Sequence, residues 1–304
     1  IFVISSFLIL LLERGRKYRE SFDNISKQLW LSMMFKELWS MLAILWLRPF
    51  VMFQDQLFQT KNVGIAKGFP VFFIHGYGMI NHPLGFLYIK RKLSQKGFGP
   101  FLSAHLDTIH LPVSALADQV IHIIREKLSS QAEKQIHLVC HYLGGIIARE
   151  ILSRKDIGFE IQSVVTIGSA HLGTKIAYAG SGLTARQLEP KSEYLKQLAG
   201  LPLTQPHFSA IYSEHDNLAL TFPGKVWTSP FVESVFVKYT GHTALLFSNE
   251  IAQLVTNFLE NSWLSHSKEH SKCEHKEWNP IENSLESIDD DESYHGVSPT
   301  IRHA

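Results

Sequence analysis

The residues best placed to do chemistry lie in the stretch 135–149, QIHLVCHYLGGIIAR. Its apolar start predicts a short buried strand, and the pair Gly144 and Gly145 predicts the beginning of a helix after a tight turn. A strand that enters a helix in this way presents one side chain at the tip of the turn, in the pattern G-x-S-x-G. Here the pattern is C-x-Y-x-G. Cys140 and Gly144 take the small positions, and Tyr142 takes the tip.

Acyl transfer from such a turn depends on groups that other parts of the chain must supply. It needs an imidazole that takes and returns the proton of the nucleophile, a carboxylate that fixes the imidazole tautomer, and two N–H donors for the oxyanion. His242 follows a glycine and precedes a predicted helix, so we expect it on a loop at the carboxyl end of a strand. Sites in open α/β sheets collect at that edge.

The elements that must position these groups follow from hydrophobic patterning. Short apolar runs bounded by glycine, proline or polar residues predict buried strands at 71–74, 101–105, 136–139, 161–167, 208–212 and 235–238. Helical spacing of apolar residues predicts helices at 88–96, 114–128, 144 onward and 244–259. Strands that alternate with helices predict an α/β fold, with a mainly parallel sheet covered by helices on both faces.

Two motifs in the first half of the folded region resemble those of lipase-type α/β-hydrolases. H-G-Y-G at 75–78 follows a predicted strand and is similar to the family's His-Gly box. C-H-Y-L-G at 140–144 is similar to the turn that holds the nucleophile. In these motifs the chain is similar to the bacterial triacylglycerol lipases and esterases.

Two further motifs follow in the family's order, so the resemblance covers about 71–255. G-S-A-H-L-G-T at 168–174 is similar to the family's G-S-P-H-x-G-T, with Ala170 in place of proline. S-E-H-D at 213–216 and G-H at 241–242 fall where the family keeps its acid and its base. The resemblance implies the α/β-hydrolase fold.

The resemblance also implies roles for the residues of the site. The family order of nucleophile, acid and base corresponds to Tyr142, Asp216 and His242, and it favours Asp216 over Glu214 as the acid. The backbone N–H groups of two residues would bind the oxyanion, and these are Tyr77 and Leu143. Residues that support the loops without reacting are His75, Gly76, Gly78, His141 and Gly144. The resemblance implies no cofactor, and no loop here specifies the calcium that some members of the family hold.

Tyr142 stands where the family has serine. A free phenol has a pKa of about 10, and its oxygen lies roughly 4 Å farther from the backbone than a serine oxygen, where a misplacement of ~1 Å can cost ~10²-fold in rate. Ser169 is a poor substitute nucleophile, because its segment matches a family motif that carries none. Two hypotheses remain. The chain is either a carboxylic (lipid) ester hydrolase with an isolated change at its nucleophile, or a silent pseudohydrolase that binds acyl lipids or a protein partner.

The amino-terminal residues predict attachment to a membrane. The run 1–12 carries no charge and is followed by Arg14, Arg16, Lys17 and Arg19. A bilayer span needs about 20 apolar residues, so we interpret this run as the end of a longer span. A signal peptide is disfavoured because its positive charges should precede the apolar run. The basic cluster predicts that the rest of the chain faces the cytoplasm.

A second apolar region covers 22–58 and predicts one or two helices. A thin polar stripe runs through Gln28, Ser32, Lys36 and Ser40, and large apolar residues cover the other faces. Such a helix is poorly suited to water. It either lies in the membrane interface, forms a second short span over 38–53 that Arg48-Pro49 interrupts, or packs on the hydrolase domain as a buried cap.

The remaining features set the domain limits and exclude some functions. We predict membrane-associated helices at 1–60, a lipase-like domain at 68–263, and a disordered polar and acidic tail at 264–304. The segment 180–206 is either a flap over the mouth of the site or a surface insertion. A formal net charge of +1 argues against nucleic acid as a partner. The expected ligand is a lipid or another acyl ester.

The cysteines and the histidines of the tail do not predict a disulfide or a metal site. Cys140 belongs to the turn and Cys273 to the polar tail, which indicates two free thiols. The spacing of His270, Cys273 and His275 matches no closed zinc site.

Overall fold

The computed structural model describes residues 2–15, 25–47, 69–78, 83–131, 134–200, 207–221, 232–276 and 301–303. Side chains are described within these ranges up to Ser265, apart from 13–15, 47 and 83–84. Part of the span considered at 38–53, including Arg48-Pro49, therefore lies outside the described residues. The same is true of the side chains of His270, Cys273 and His275.

The centre of the molecule is a sheet in which every neighbouring pair of strands is parallel. The order across it is β2-β1-β3-β4-β5-β6-β7. The strands are β1 (Val71–Ile74), β2 (Phe101–Ser103), β3 (Gln135–His141), β4 (Glu160–Ile167), β5 (Phe208–Ser213), β6 (Val232–Val237) and β7 (Ile301–His303). The predicted parallel sheet is confirmed.

Helices connect and cover these strands. They are α1 (Phe2–Gly15), α2 (Lys27–Leu47), α3 (Leu87–Gln95), α4 (Val113–Lys127), α5 (Leu143–Leu152), α6 (Gly182–Gln187), α7 (Glu193–Ala199) and α8 (Asn249–Lys276). Short 3-10 segments occupy Pro83–Phe86, Lys175–Ala179 and Ala244–Phe247. The alternation of strands with helices is the one that hydrophobic patterning predicts.

Successive residues of the central strands face two separate apolar layers, because side chains alternate across a strand. Phe72 and Leu138 pack on one side, in a layer with α4 and α5. Phe73 and Val139 pack on the other side, in a layer with α3 and α8. Both faces of the sheet are therefore covered, as predicted.

The carboxyl-terminal part differs from the predicted helix and tail. The predicted helix at 244–259 is a 3-10 segment followed by a break at Ser248, which has extended backbone. α8 then continues through Lys276. Near its middle, Ser262 donates to the Gln162 carbonyl (3.2 Å) and Trp263 packs edge-on against Phe69. The helix thus enters the range predicted to be disordered, and β7 adds three residues beside β6. Residues 277–300 are outside the described part, and the domain limits remain predictions.

The amino-terminal helices α1 and α2 pack on each other and on the domain. Phe7 and Leu10 of α1 join Met33 of α2 and Leu220 of the domain in one buried cluster. By length and composition, Lys27–Trp46 is the one stretch of the described residues that is long and apolar enough to cross a membrane. The apolar stretch of α1, Phe2–Leu12, is shorter.

The orientation of α2 is unusual for a helix that packs on a protein. Its buried face carries polar side chains, Glu37 and Ser40, between Met33 and Ile44. Its outward face carries large apolar side chains, which we call the apolar face: Leu31, Phe35, Leu38, Trp39, Leu42, Leu45 and Trp46, all exposed. α2 therefore covers the domain with the side that carries Glu37 and Ser40, and its apolar face points away from the domain. The apolar face has no cover in the described part of the chain.

Candidate active site

The turn between β3 and α5 places Tyr142 at its tip in a strained conformation. Tyr142 has φ 53° and ψ −111°, which a residue other than glycine adopts only at a cost. Its N–H donates to the Ile167 carbonyl of the neighbouring strand (3.1 Å), which fixes the turn to the sheet. The helix begins at Leu143, one residue before the predicted glycine pair.

Gly144 permits this turn to approach the end of β1. A Cβ added at Gly144 would lie 2.2 Å from the carbonyl oxygen of Ile74, closer than two such atoms can come. The absence of a side chain therefore brings the start of α5 against the loop that contains Tyr77. The two predicted oxyanion donors come from these two segments.

We expect Gly144→Ala to destabilise the protein by about 3 kcal/mol, because the new methyl group must displace backbone rather than a side chain. Chemical denaturation should show the loss as a lower midpoint. The matched control is Gly200→Ala, since a Cβ at Gly200 would meet only Gln197 O at 3.5 Å. The control should change stability by less than about 0.5 kcal/mol. Equal effects of the two substitutions would contradict the close approach.

Asp216 and His242 form a buried pair at the carboxyl edge of the sheet. His242 Nδ1 lies 3.0 Å from Asp216 Oδ1 and 2.9 Å from Oδ2, and both side chains are fully buried. The backbone N–H groups of Leu218 and Ala219 donate to Asp216 Oδ1 at 2.9 and 2.7 Å. These bonds hold the carboxylate in place while it orients the imidazole. The carboxylate that meets His242 is that of Asp216 rather than Glu214.

The imidazole of His242 packs against the ring of Tyr142. The two rings are 4.8 Å apart between centroids and meet edge-on at 77°. His242 Nε2 is buried and has no hydrogen-bond partner within the described part of the chain. Tyr142 is itself only 5% exposed, and burial together with the charge of Asp216 raises the pKa of its phenol above the ordinary value. The tyrosine therefore stays protonated, and its ring lies beside the imidazole that would act as a base.

The loop after β1 is held by the residues that the sequence predicts as its supports. His75 Nδ1 donates to the Gly76 carbonyl (2.9 Å), and Nε2 accepts from Leu106 N–H (3.2 Å), which one neutral tautomer satisfies. Gly78 N–H donates to Thr108 Oγ1 (2.9 Å). The loop that carries Tyr77 is thus fixed on both sides.

Two neighbours of the turn are neutral and buried. His141 stacks on His242 with ring centroids 4.4 Å apart, and its Nε2 lies 3.4 Å from the His242 carbonyl oxygen. Burial and the neighbouring His242 lower the pKa of His141 well below the ordinary value, so it is uncharged. Burial raises the pKa of the Cys140 thiol, so it stays protonated in the core.

Ser169 lies beneath α5 and faces its first turn. Its Oγ is fully buried, and a Cβ at Gly145 would come within 2.3 Å of it. Gly168, immediately before it, has φ +53°, and a Cβ there would lie 2.8 Å from Asp216 Oδ2. The segment 168–174 therefore packs against the Asp216–His242 pair from below, which explains why its first residue must be glycine.

Residues that sequence patterning missed complete the support of His242. Asn217 Oδ1 accepts from His242 N–H (2.9 Å), and Asn217 Nδ2 donates to Ser6 Oγ of α1 (2.8 Å). Glu37 of α2 accepts from the N–H groups of Thr243 and Ala244, each at 2.9 Å. Burial raises the pKa of Glu37, against the opposing effects of His242 and these amides. The sequence did contain a signal for this role, because Glu37 is the single acidic residue of the apolar helix α2.

An apolar pocket of about 240 Å³ opens beside Tyr142. Tyr77 and Thr243 line it on the domain side, and Phe2 and Met41 of the amino-terminal helices close it opposite. Gly180, Ala185 and Leu188 also line it, so the segment predicted as a flap borders the mouth. Tyr77 joins that segment to the His-Gly loop, because its hydroxyl accepts from Ser181 N–H (2.9 Å) and donates to the Ser181 carbonyl.

Comparison with known proteins identifies the fold through structure rather than sequence. No protein-family model and no curated protein matches the chain. Among solved structures, Aspergillus fumigatus lipase B matches 66% of this chain and 55% of its own, with a TM-score of 0.56 at 14% identity. The mature form of Bacillus licheniformis lipase BlEst2 matches 64% of this chain and 93% of its own, with a TM-score of 0.53 at 14% identity. The chain has the α/β-hydrolase fold.

In a further match, the alignment covers a smaller share of the other protein. Phospholipase PlaB from Legionella pneumophila aligns over 47% of this chain at 15% identity, with a TM-score of 0.42. The present chain spans 39% of the length of that phospholipase. The solved structures that are similar to this chain include lipases and a phospholipase, and at 14–15% identity they establish the fold alone.

Proposed function

We propose that the chain is a lipase- or esterase-like hydrolase of lipid carboxylic esters in its architecture, and that Tyr142 silences it as it stands. The observation that carries this proposal is the buried Asp216–His242 pair, whose imidazole packs against Tyr142 at the tip of the turn between β3 and α5. The test is Tyr142→Ser, which should give a chain that hydrolyses a short-chain aryl ester.

The geometry supports the following steps for a small hydroxyl at position 142. His242 would take the hydroxyl proton at Nε2 while Asp216 holds Nδ1–H and stabilises the imidazolium. The hydroxyl oxygen would attack the ester carbonyl, and the N–H groups of Tyr77 and Leu143 would bind the oxyanion. Leu143 suits this role because the first N–H groups of a helix have no acceptor inside the helix. His242 would then return the proton to the leaving alcohol, and water would release the acyl group in the same manner.

Tyr142 prevents these steps for two reasons. Its phenol is held protonated, so it is a poor nucleophile. Its ring lies against His242 and lines the pocket, in the space that the ester carbonyl would need.

The packing of Tyr142 specifically favours a second candidate function, a pseudohydrolase that binds acyl lipids. The ring is almost fully buried and makes an edge-on contact with His242, which is typical of an aromatic residue in a packed core. The two functions differ in how the chain responds to reversal at this position. A lipid-ester hydrolase with an isolated change should regain activity with serine, whereas a long-established binding protein should not.

Lipid substrates fit the surroundings of the site better than polar ones. A groove of about 630 Å³ between α1 and α2 has an entirely apolar lining, which includes Leu31, Phe35 and Leu38. It shares Phe2 and Met41 with the pocket beside Tyr142. The two apolar spaces therefore adjoin at Phe2 and Met41, and their lining suits an acyl chain.

The apolar face also supports attachment to a membrane. We propose that α1 and α2 lie in the plane of the interface, with Trp39 and Trp46 at headgroup level and the domain on the cytoplasmic side. The sidedness rests on the basic cluster at 14–19, because the anionic lipids of the cytoplasmic leaflet attract lysine and arginine.

Each of Phe35→Ser, Trp39→Ser and Trp46→Ser should weaken binding to phospholipid vesicles about tenfold, because each side chain would otherwise leave water on binding. Vesicle flotation without detergent measures the bound fraction. The control is Leu264→Ser, which removes an exposed apolar residue from α8 instead. It should leave binding unchanged. A parent chain that stays out of the vesicle fraction would rule out the attachment.

A further inference from the structure

We propose that Glu37 of α2 is a positioning residue for His242, and that the amino-terminal helices thereby form part of the active site. This inference rests on the proposed function. It differs from membrane attachment, because it concerns the inward face of α2 rather than the apolar face.

The carboxylate of Glu37 binds the backbone that directly follows His242. Thr243 N–H donates to both carboxylate oxygens at 2.9 Å, and Ala244 N–H donates to Oε2 at 2.9 Å. The side chain is fully buried. On the other side of His242, a Cβ at Gly241 would lie 2.6 Å from Glu37 Oε2. The carboxylate thus occupies the space where a side chain at position 241 would otherwise lie.

A second connection reaches the same loop from α1. His242 N–H donates to Asn217 Oδ1 (2.9 Å), Asn217 Nδ2 donates to Ser6 Oγ (2.8 Å), and Ser6 Oγ donates to the Val3 carbonyl (2.9 Å). Three consecutive N–H groups, from His242 to Ala244, therefore have side-chain acceptors. Glu37 accepts from two of these N–H groups, and Ser6 of α1 contacts the residue that accepts from the third.

A side chain with two acceptor oxygens suits this position because the imidazole must be held accurately. Glu37 accepts from two consecutive N–H groups in the buried interior, where a hydrogen bond is stronger than in water. Asp216 orients the ring of His242, but it does not fix the backbone that carries the ring. A displacement of ~1 Å at a reacting group can cost ~10²-fold in rate. Glu37 is therefore expected to act on the rate through His242 without touching the substrate.

The kinetic test uses the full chain with Tyr142→Ser as parent. Glu37→Ala should lower kcat about 10²-fold per active site, with the sites counted by the burst of a p-nitrophenyl ester and with KM changed less than about threefold. Glu37→Gln keeps one acceptor oxygen and should recover about tenfold of that loss. The control is Lys36→Ala, which alters the exposed neighbour on the same helix and should change neither constant.

A role in folding alone would give a different pattern. It would reduce the number of sites that react in the burst and leave kcat per site unchanged, and that result would overturn the proposal. If the Tyr142→Ser parent hydrolyses nothing, the proposed function is wrong. The proposed effect of Glu37 on the rate is then wrong as well.

A separate measurement decides whether the carboxylate holds the loop at all. In the chain that retains Tyr142, hydrogen exchange of the peptide that covers 241–247 should quicken about tenfold in Glu37→Ala, because Thr243 and Ala244 lose their acceptor. Lys36→Ala should leave the exchange unchanged. Unaltered exchange in Glu37→Ala would refute the anchor whether or not the chain is an enzyme.

Discussion

Replacing Tyr142 by serine should raise kcat/KM for a short-chain aryl ester at least 10³-fold over the parent chain. Loss of the nucleophile from a serine hydrolase costs up to ~10⁶-fold in kcat, so reversal has that much to recover. The expected gain is larger than for any other substitution in the site, because Asp216 and His242 are already in contact and the imidazole lies beside the residue at position 142. A burst of acyl-enzyme should precede steady turnover.

Two variants separate the new hydroxyl from the space it creates. Tyr142→Ala opens the same volume without a nucleophile and should show neither burst nor labelling by a fluorophosphonate. Tyr142→Phe keeps the ring and should behave as the parent does. Activity of Tyr142→Ala equal to that of Tyr142→Ser would mean that the hydroxyl is not the nucleophile. No gain from serine would favour the binding role, and fluorophosphonate labelling of Ser169 in the parent would overturn our account of the site.

Asp216→Asn in the Tyr142→Ser background should lower kcat about 10⁴-fold. An amide in place of the carboxylate would stabilise the wrong imidazole tautomer while leaving the geometry nearly intact. Its oxygen can still accept from the N–H groups of Leu218 and Ala219, so the fold should persist. Thermal unfolding would check this, and initial rates with the aryl ester would measure the loss.

Glu214→Gln is the matched control, because it makes the same chemical change two residues earlier in the same turn. It should change kcat less than about threefold, since the Glu214 carboxylate does not contact His242 in the described part of the chain. A larger loss from Glu214→Gln than from Asp216→Asn would reverse the assignment of the acid.

The parts of the fold that sequence predicts well are those with a local cause. β1 has the predicted limits, 71–74, because four apolar residues lie between Pro70 and His75. The meeting of Asp216 with His242 follows from a rule of the same kind, since the carboxyl ends of parallel strands share one edge. The limits of α8 were harder to predict, because its second half depends on contacts of Ser262 and Trp263 with distant residues.

The support of His242 could not be predicted from any local pattern. Glu37 and Thr243 are separated by most of the chain, and only the docking of α2 brings them together. The spacing of Gln28, Ser32, Lys36 and Ser40 indicated a polar stripe, but it did not show which side of the helix would be buried. Ser40 is buried beside Glu37, whereas Gln28 and Lys36 are exposed. The side of a helix that faces a protein depends on which polar groups find partners there.

The inverted polarity of α2 has a practical consequence for anyone who works with this protein. Apolar amino-terminal helices are commonly deleted so that the remaining domain is easier to purify. Here such trimming would remove the acceptor for the Thr243 and Ala244 amides, together with one wall of the pocket. An inactive truncated protein would then not show whether Tyr142 is the cause, because the loop 241–244 would already have lost its contact with Glu37.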